Sequence, residues 1–225
     1  MKFVFECFRE IIFLVFAFIA GPLGYLLPLD EILGSGESGR IVFVHGWFAQ
    51  NPLFFFLKRH LVKQGFRVYM TNFGLHLGDF YELAKKLSIF IQENDLHDVI
   101  LVGTSNGAII SLLYLQKMDG WKNVRKFIGI GGPYKGTPLA YLGLFSKSVC
   151  QILPNSQFLK DLFDNGLKNP DKIVCVSAKH DEFVPIWSSQ LPGAKNEILP
   201  VIGHINLAAF CKSTFSFVAK YARSR

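Results

Sequence analysis

Cysteine is scarce in this chain, charge is thin, and neither repeats nor metal-binding spacings occur. The four cysteines, Cys7, Cys150, Cys175 and Cys211, form no C-x-x-C pair, so the usual sequence signature of a zinc site is missing. A Cys150–Cys211 disulfide would fit an oxidising compartment, whereas Cys175 lies in a strand-like run and reads as a small core residue. Basic residues are scattered with no recognised RNA- or DNA-binding module beside them, so the net charge of +7 does not point to nucleic acid. Charged residues make up 18% of the chain against 50% hydrophobic ones, and mean hydropathy is +0.29. Much of that excess sits at the start, where no charge occurs between Glu10 and Asp30.

That stretch, Ile11 to Leu29, has 19 residues, enough to cross a hydrocarbon core of about 30 Å as a helix. A membrane anchor is the leading expectation. Gly21-Pro22 and Pro28 interrupt it, and Ile11 to Ala20 resembles the apolar region of a secretion signal, although Phe18 fits a cleavage site after Ala20 poorly. A helix packed on the domain is the third reading. Lys2 and Arg9 precede the segment and only Arg40 follows soon after, which favours a membrane-associated protein with its domain outside the cytoplasm. Lys212, Lys220, Arg223 and Arg225 near the end suit anionic lipid headgroups and ordinary solubility equally.

A chain of 225 residues makes one domain with at most an appendage. Residues 1–33 form the hydrophobic N-terminal segment, 34–39 (Gly-Ser-Gly-Glu-Ser-Gly) a turn-rich linker, and 40–225 the folded domain. Strand-like runs occur at Ile41–Val44, Phe66–Met70, Val99–Val102, Phe127–Ile130, Ile173–Val176 and Glu197–Val201. Several lack polar alternation, as expected of strands covered on both faces of a parallel sheet. Between them Phe80, Leu83, Ala84, Leu87 and Ile91 repeat at helical spacing, and so do Leu207, Phe210, Cys211, Val218 and Tyr221. Ala108–Leu115 is apolar almost all round and reads as a buried helix. The alternation predicts an α/β fold, a mostly parallel sheet of about six strands with helices on both faces. Residues 134–170 break the rhythm and are expected to form a small helical excursion over the strand ends, where ligands bind in such sheets.

The sequence turns on Gly103-Thr104-Ser105-Asn106-Gly107, a G-x-S-x-G run between the strand Val99–Val102 and the helix Ala108–Leu115. Such a strand-turn-helix holds a serine on a tight turn with its hydroxyl exposed, so Ser105 is the candidate nucleophile. The hydroxyl proton must leave as the oxygen attacks, which calls for an imidazole held by a carboxylate. Of six histidines, His204 sits at the loop after the last strand-like run and is the candidate base. Asp181 follows the strand ending at Val176 and is the candidate acid, with Glu182 in reserve. An oxyanion hole needs two N–H groups. Asn106 supplies one at the helix N-terminus; Trp47, after His45-Gly46, supplies the other, with Phe48 as runner-up.

Taken together, His45-Gly46, Gly103–Gly107, Gly132-Pro133-Tyr134-Lys135-Gly136-Thr137, Asp181 with Val184-Pro185, and Gly203-His204 resemble the α/β-hydrolase superfamily, in particular its compact bacterial lipases and esterases. The resemblance spans about Arg40 to Tyr221. It implies Ser105, Asp181 and His204 as catalytic residues, Trp47 and Asn106 as oxyanion donors, a six-stranded core sheet and no large lid. Thr104 and Asn106 depart from the residues often seen around the lipase serine, and no carboxylate pair stands out as the calcium site of some bacterial lipases. Neither metal nor cofactor is expected.

Trp47, Phe48, Phe54, Phe55 and Phe56 crowd the inferred mouth, as acyl-pocket wall or as core under the first helix. Phe48 and Tyr134 are the residues expected to touch substrate. The sequence thus points to a serine hydrolase of carboxylic esters with an apolar acyl chain, working through an acyl-enzyme. An acyl-thioesterase and a catalytically silent lipid- or partner-binding protein of the same fold are the alternatives.

Overall fold

The computed structural model describes residues 8–15 and 31–224. Seven strands form one sheet: β1 (Glu31–Leu33), β2 (Arg40–Val44), β3 (Arg67–Met70), β4 (Val99–Thr104), β5 (Val124–Ile130), β6 (Ile173–His180) and β7 (Lys195–Ile202), in the order β1-β3-β2-β4-β5-β6-β7. All neighbours are parallel except β1, which runs antiparallel to β3. The six strand-like runs of the sequence are the six parallel strands. The seventh comes from residues ahead of the expected linker, so the sheet begins before Arg40.

Strands β2 and β4 are apolar and buried on both faces, because helices cover both sides. On one face lie α2 (Phe80–Glu93) and α3 (Asn106–Lys117); on the other α1 (Phe55–Lys63) and α6 (Lys212–Arg223). In α2 the buried residues Leu83, Ala84, Leu87, Phe90 and Ile91 recur at i, i+3, i+4. Its Asp79 cap accepts the Tyr81 N–H at 2.8 Å, satisfying a donor without a partner inside the helix. Helix α3 is buried almost throughout and places the turn before it at the centre of the sheet's C-terminal edge.

Residues 138–172 hold short helical pieces, among them α4 (Lys147–Gln151) and α5 (Gln157–Leu162). This excursion is tied down by Ser148 Oγ to His76 O at 2.5 Å, Ser146 Oγ to Leu77 O at 3.1 Å, and Lys147 Nζ to Asp79 at 2.6 Å. Cys150 and Cys211 are free thiols, so the disulfide that an oxidising compartment would allow is not formed. They belong to opposite faces of the sheet: Cys150 follows Val149 of the first core, and Cys211 packs on the second.

Of the hydrophobic segment Ile11–Leu29, residues 16–29 lie outside the described residues. Residues 8–15 are helical. Glu10, Phe13 and Leu14 turn inward and Phe8, Ile11, Ile12 and Val15 outward. Among the described residues no helix is long and apolar enough to cross a membrane.

Candidate active site

Ser105 sits where β4 ends and α3 begins, with φ 52° and ψ −124°, a conformation that a side chain adopts only under constraint. The constraint is steric. A Cβ on Gly107 would lie 2.2 Å from Val44 O, so α3 reaches the end of β2 only because that residue is glycine. The Ser105 N–H donates to Ile130 O at 2.9 Å, which pins the turn to β5.

His204 follows β7 and opens a helical turn that continues as a π-helix over Asn206–Phe210. Its Nδ1 lies 2.8 Å from Asp181 Oδ2. The other Asp181 oxygen accepts the N–H groups of Phe183 at 2.9 Å and Val184 at 2.7 Å. Both side chains are buried, 7% and 2% exposed, so the carboxylate is fixed before it meets the ring. Burial disfavours a charged imidazole, yet the charge of Asp181 and its hydrogen bond outweigh it, with help from Glu182; His204 is held up at about 8. Glu182, the reserve acid, takes the His204 backbone N–H at 3.2 Å and not the ring.

The oxyanion loop follows β2. Phe48 donates its N–H to Leu75 O at 3.1 Å, which removes it as runner-up donor; Trp47 and Asn106 both stand on the wall of a cavity that Ser105 lines. Beneath the loop His45 and His76 stack, ring centroids 4.1 Å apart and 10° from parallel. Burial pushes His45 down to about 4 and His76 well below its ordinary value. Two neutral, stacked rings support the loop and are too deep to serve as the base. The sequence reads His45 as a residue that orients the loop, but the part of His76 was not legible, since it sits in an irregular stretch.

Ser105 opens on two cavities. The larger, about 250 Å³, is walled by Trp47, Leu139, Leu142, Phe145, Val149 and Ile152; most of these come from the excursion. The smaller, about 80 Å³, is walled by Leu14, Phe48, Leu53, Phe54 and Ile205 and includes His204. Phe48 therefore stands where substrate contact was expected. Tyr134 does not: it is 1% exposed, lines neither cavity, and its hydroxyl accepts from Cys175 Sγ at 3.7 Å. The physical reason is a slot left by Gly129, whose absent Cβ would fall 1.8 Å from the Tyr134 hydroxyl. Phe54 is core, while Phe55 and Phe56 are exposed on α1. Among the described residues no cluster of His, Cys, Asp or Glu could hold a metal ion.

No family model matches the sequence. Solved structures do. The mature form of the Bacillus licheniformis lipase BlEst2 superposes with a TM-score of 0.70 at 19% identity, covering 87% of this chain and 96% of that one. The propeptide form of the same lipase gives 0.71 at 19% identity and 87% of this chain, which spans only 54% of that longer protein. An esterase, EaEST, from Exiguobacterium antarcticum gives 0.61 at 20%, covering 87% of this chain and 95% of that one. At such identities the likeness speaks for architecture, and on that architecture this chain has the α/β-hydrolase fold.

Proposed function

We propose that the chain is a serine hydrolase that cleaves carboxylic esters with an apolar acyl chain through an acyl-enzyme on Ser105. One observation carries the reading: the strained Ser105 lines the same cavity as the histidine that Asp181 holds at 2.8 Å. Asp181 accepts from Nδ1, which leaves Nε2 as the base that takes the Ser105 proton while Oγ attacks the ester carbonyl carbon. The carbonyl oxygen becomes an oxyanion, received by the N–H groups of Trp47 and Asn106. His204 then protonates the leaving alcohol as the C–O bond breaks. In the second half it deprotonates water, which attacks the acyl carbon, and returns that proton to Ser105 Oγ as the acyl–Oγ bond breaks and the acid leaves.

The larger cavity, apolar on nearly every side, takes the acyl chain; the smaller takes the alcohol. Leu142 and Phe145 at the rim are 79% and 76% exposed, and the outward face of residues 8–15 adds Phe8, Ile11, Ile12 and Val15. Exposed apolar residues around a cleft support a substrate presented by lipid and a place at a membrane surface, and the basic residues Lys2 and Arg9 ahead of the segment against Arg40 after it support a domain outside the cytoplasm. Vesicle co-sedimentation of the full chain, as wild type and with Phe8, Ile11, Ile12 and Val15 changed to serine, tests the surface. Protease accessibility in intact cells tests the side.

The decisive experiment is Ser105→Ala, assayed against p-nitrophenyl esters of increasing acyl length. Turnover is expected to fall to background, and labelling by a fluorophosphonate probe to vanish. Retained turnover in the variant overturns the reading, and a folded wild type that the probe never labels favours the silent binding protein. Acyl-thioesters run beside the esters separate the thioesterase.

A further inference from the structure

We propose that the N-terminal segment is part of the active site, with Glu10 a positioning residue that joins Glu182 to fix the turn carrying His204. The inference rests on reading Ser105, Asp181 and His204 as the triad. It concerns what holds the base.

Glu10 is the last charge before the long uncharged stretch, and nothing near it in sequence explains a carboxyl group there. In the structure it is 4% exposed. One carboxyl oxygen accepts the Ile205 N–H at 2.6 Å and the other the Asn206 N–H at 3.0 Å. Glu182 accepts the His204 N–H at 3.2 Å. Three consecutive N–H groups at the start of the helical turn, which have no partner within it, are thus met by two carboxyl groups from distant parts of the chain. Burial, then the neighbouring Glu182 charge, push Glu10 up to about 8, the range in which His204 itself titrates.

The seat is shaped for this contact. Gly203, immediately before His204, has φ +101°, and a Cβ there would lie 2.1 Å from Glu10 Cδ. Only glycine lets the carboxyl reach the turn. Three residues along the same helix, Phe13 stacks on Phe210 at 4.0 Å, at the far end of the π-helical stretch. Next to it Leu14 walls the smaller cavity beside Ser105. The segment therefore grips both ends of the His204 turn and closes one side of the cleft. The charged or titratable groups acting on the His204 ring are Asp181 and Glu182 from the turn after β6 and Glu10 from this segment. Glu10 lines neither cavity, so its influence reaches substrate only through His204.

The test uses the full chain as wild type, Glu10→Ala, Glu10→Gln, Gly203→Ala and Ser105→Ala. Readouts are ester-hydrolysis pH profiles, thermal unfolding, and the low-field proton resonance of His204 Nδ1. Glu10→Ala is expected to lower kcat on the order of 10- to 100-fold with KM little changed, and Gly203→Ala to follow it. In Glu10→Gln the single amide oxygen can still accept from the Ile205 or the Asn206 N–H but not replace both acceptors, so kcat near neutrality is expected to fall less than in Glu10→Ala. That variant also lacks a group able to ionise, so the acid limb of its profile moves to lower pH, a shift that loss of packing alone would not give. Wild-type kcat in a folded Glu10→Ala overturns the proposal, and so does an equal fall in Glu10→Gln with an unshifted profile. Should Glu10→Ala not fold, Glu10→Gln still decides through that profile. Should Ser105→Ala keep wild-type turnover, the hydrolase reading fails separately and the resonance decides: its loss in Glu10→Ala with retention in Glu10→Gln upholds the positioning role, and its persistence in Glu10→Ala sinks it.

Discussion

The two turns that carry Ser105 and His204 are built by opposite means. The Ser105 turn is enforced by shape: strand feeds into helix, and Gly107 is pressed against the backbone of Val44 and His45. The His204 turn is held by polar contacts from afar, with Asp181 on the ring, Glu182 and Glu10 on the backbone. A steric turn needs glycine at a fixed spacing and is indifferent to pH. A polar turn needs carboxyl groups wherever the fold can deliver them, and answers to their protonation. Experiments that remove one kind of support and leave the other should therefore fail in different ways, by loss of chemistry or by loss of fold.

The largest effect is expected at the polar turn. Asp181→Asn can offer its amide to Nδ1 and so stabilise the wrong tautomer of His204, leaving Nε2 unable to act as base. By analogy with serine-protease triads kcat should fall on the order of 10⁴-fold while the unfolding midpoint changes little. Parallel kcat and urea-denaturation measurements check both halves, and a variant that unfolds in step with its loss of activity would erase the contrast between the turns. At the steric turn the expectation reverses. Gly107→Ala drives a methyl to 2.2 Å from Val44 O and 2.3 Å from His45 O, and neither backbone atom can give way as a flexible side chain could. A destabilisation of about 3 kcal/mol or more follows, seen as a lower denaturation midpoint and a poor yield of folded protein. A cost under about 1 kcal/mol would mean that the elbow is not set by shape.

pH sharpens the same contrast. His204 is raised from 6.5 to about 8, so its contribution is complete below 6.5 and is lost as pH rises through about 8. At most this amounts to about 2 kcal/mol. Glu10, also raised, acts with the same sign. His45 is lowered from 6.5 to about 4 by burial, and His76 moves the same way. Their support is present above 6.5 and lost as pH falls toward 4. These groups together put greatest stability near pH 6.5, whereas a base that must be neutral keeps gaining activity through about 8. Melting temperature and kcat/KM recorded over the same pH series should peak apart, and coincident maxima would contradict the assignment of His204.

What could be read in the sequence follows the same division. The six parallel strands were legible because burial on both faces leaves continuous apolar runs such as Val99–Val102 and Ile173–Val176. Ser105, Asp181 and His204 were legible as candidates because each lies just beyond a strand, in the chain order of the fold. Strand β1 was not, since three residues between Asp30 and Gly34 carry no periodic signal and gain their meaning only by pairing with β3. Glu10 was illegible for the same reason, being defined by a contact 195 residues away. Gly203 was visible only as a glycine; what it makes room for was not. Local sterics write themselves into sequence as motifs, while long-range polar contacts leave a single unexplained residue.

Tyr134 gives the smallest and most pointed test of that distinction. It sits inside a motif, Gly132–Thr137, that placed it among the substrate contacts, yet its ring is buried in the slot left by Gly129. Burial raises its hydroxyl well above the ordinary tyrosine value, so it stays protonated at any working pH, and its sole hydrogen-bonding neighbour among the described residues is the Cys175 thiol, a weak donor at 3.7 Å. Tyr134→Phe keeps the ring and gives up only that contact, so stability should change by less than about 1 kcal/mol. KM and acyl-length preference should not move, because no part of the side chain reaches either cavity. A changed length preference would return Tyr134 to the substrate site. An unchanged one leaves the motif as a packing device that presents Pro133 and Thr137 to the larger cavity while its tyrosine fills the core behind them.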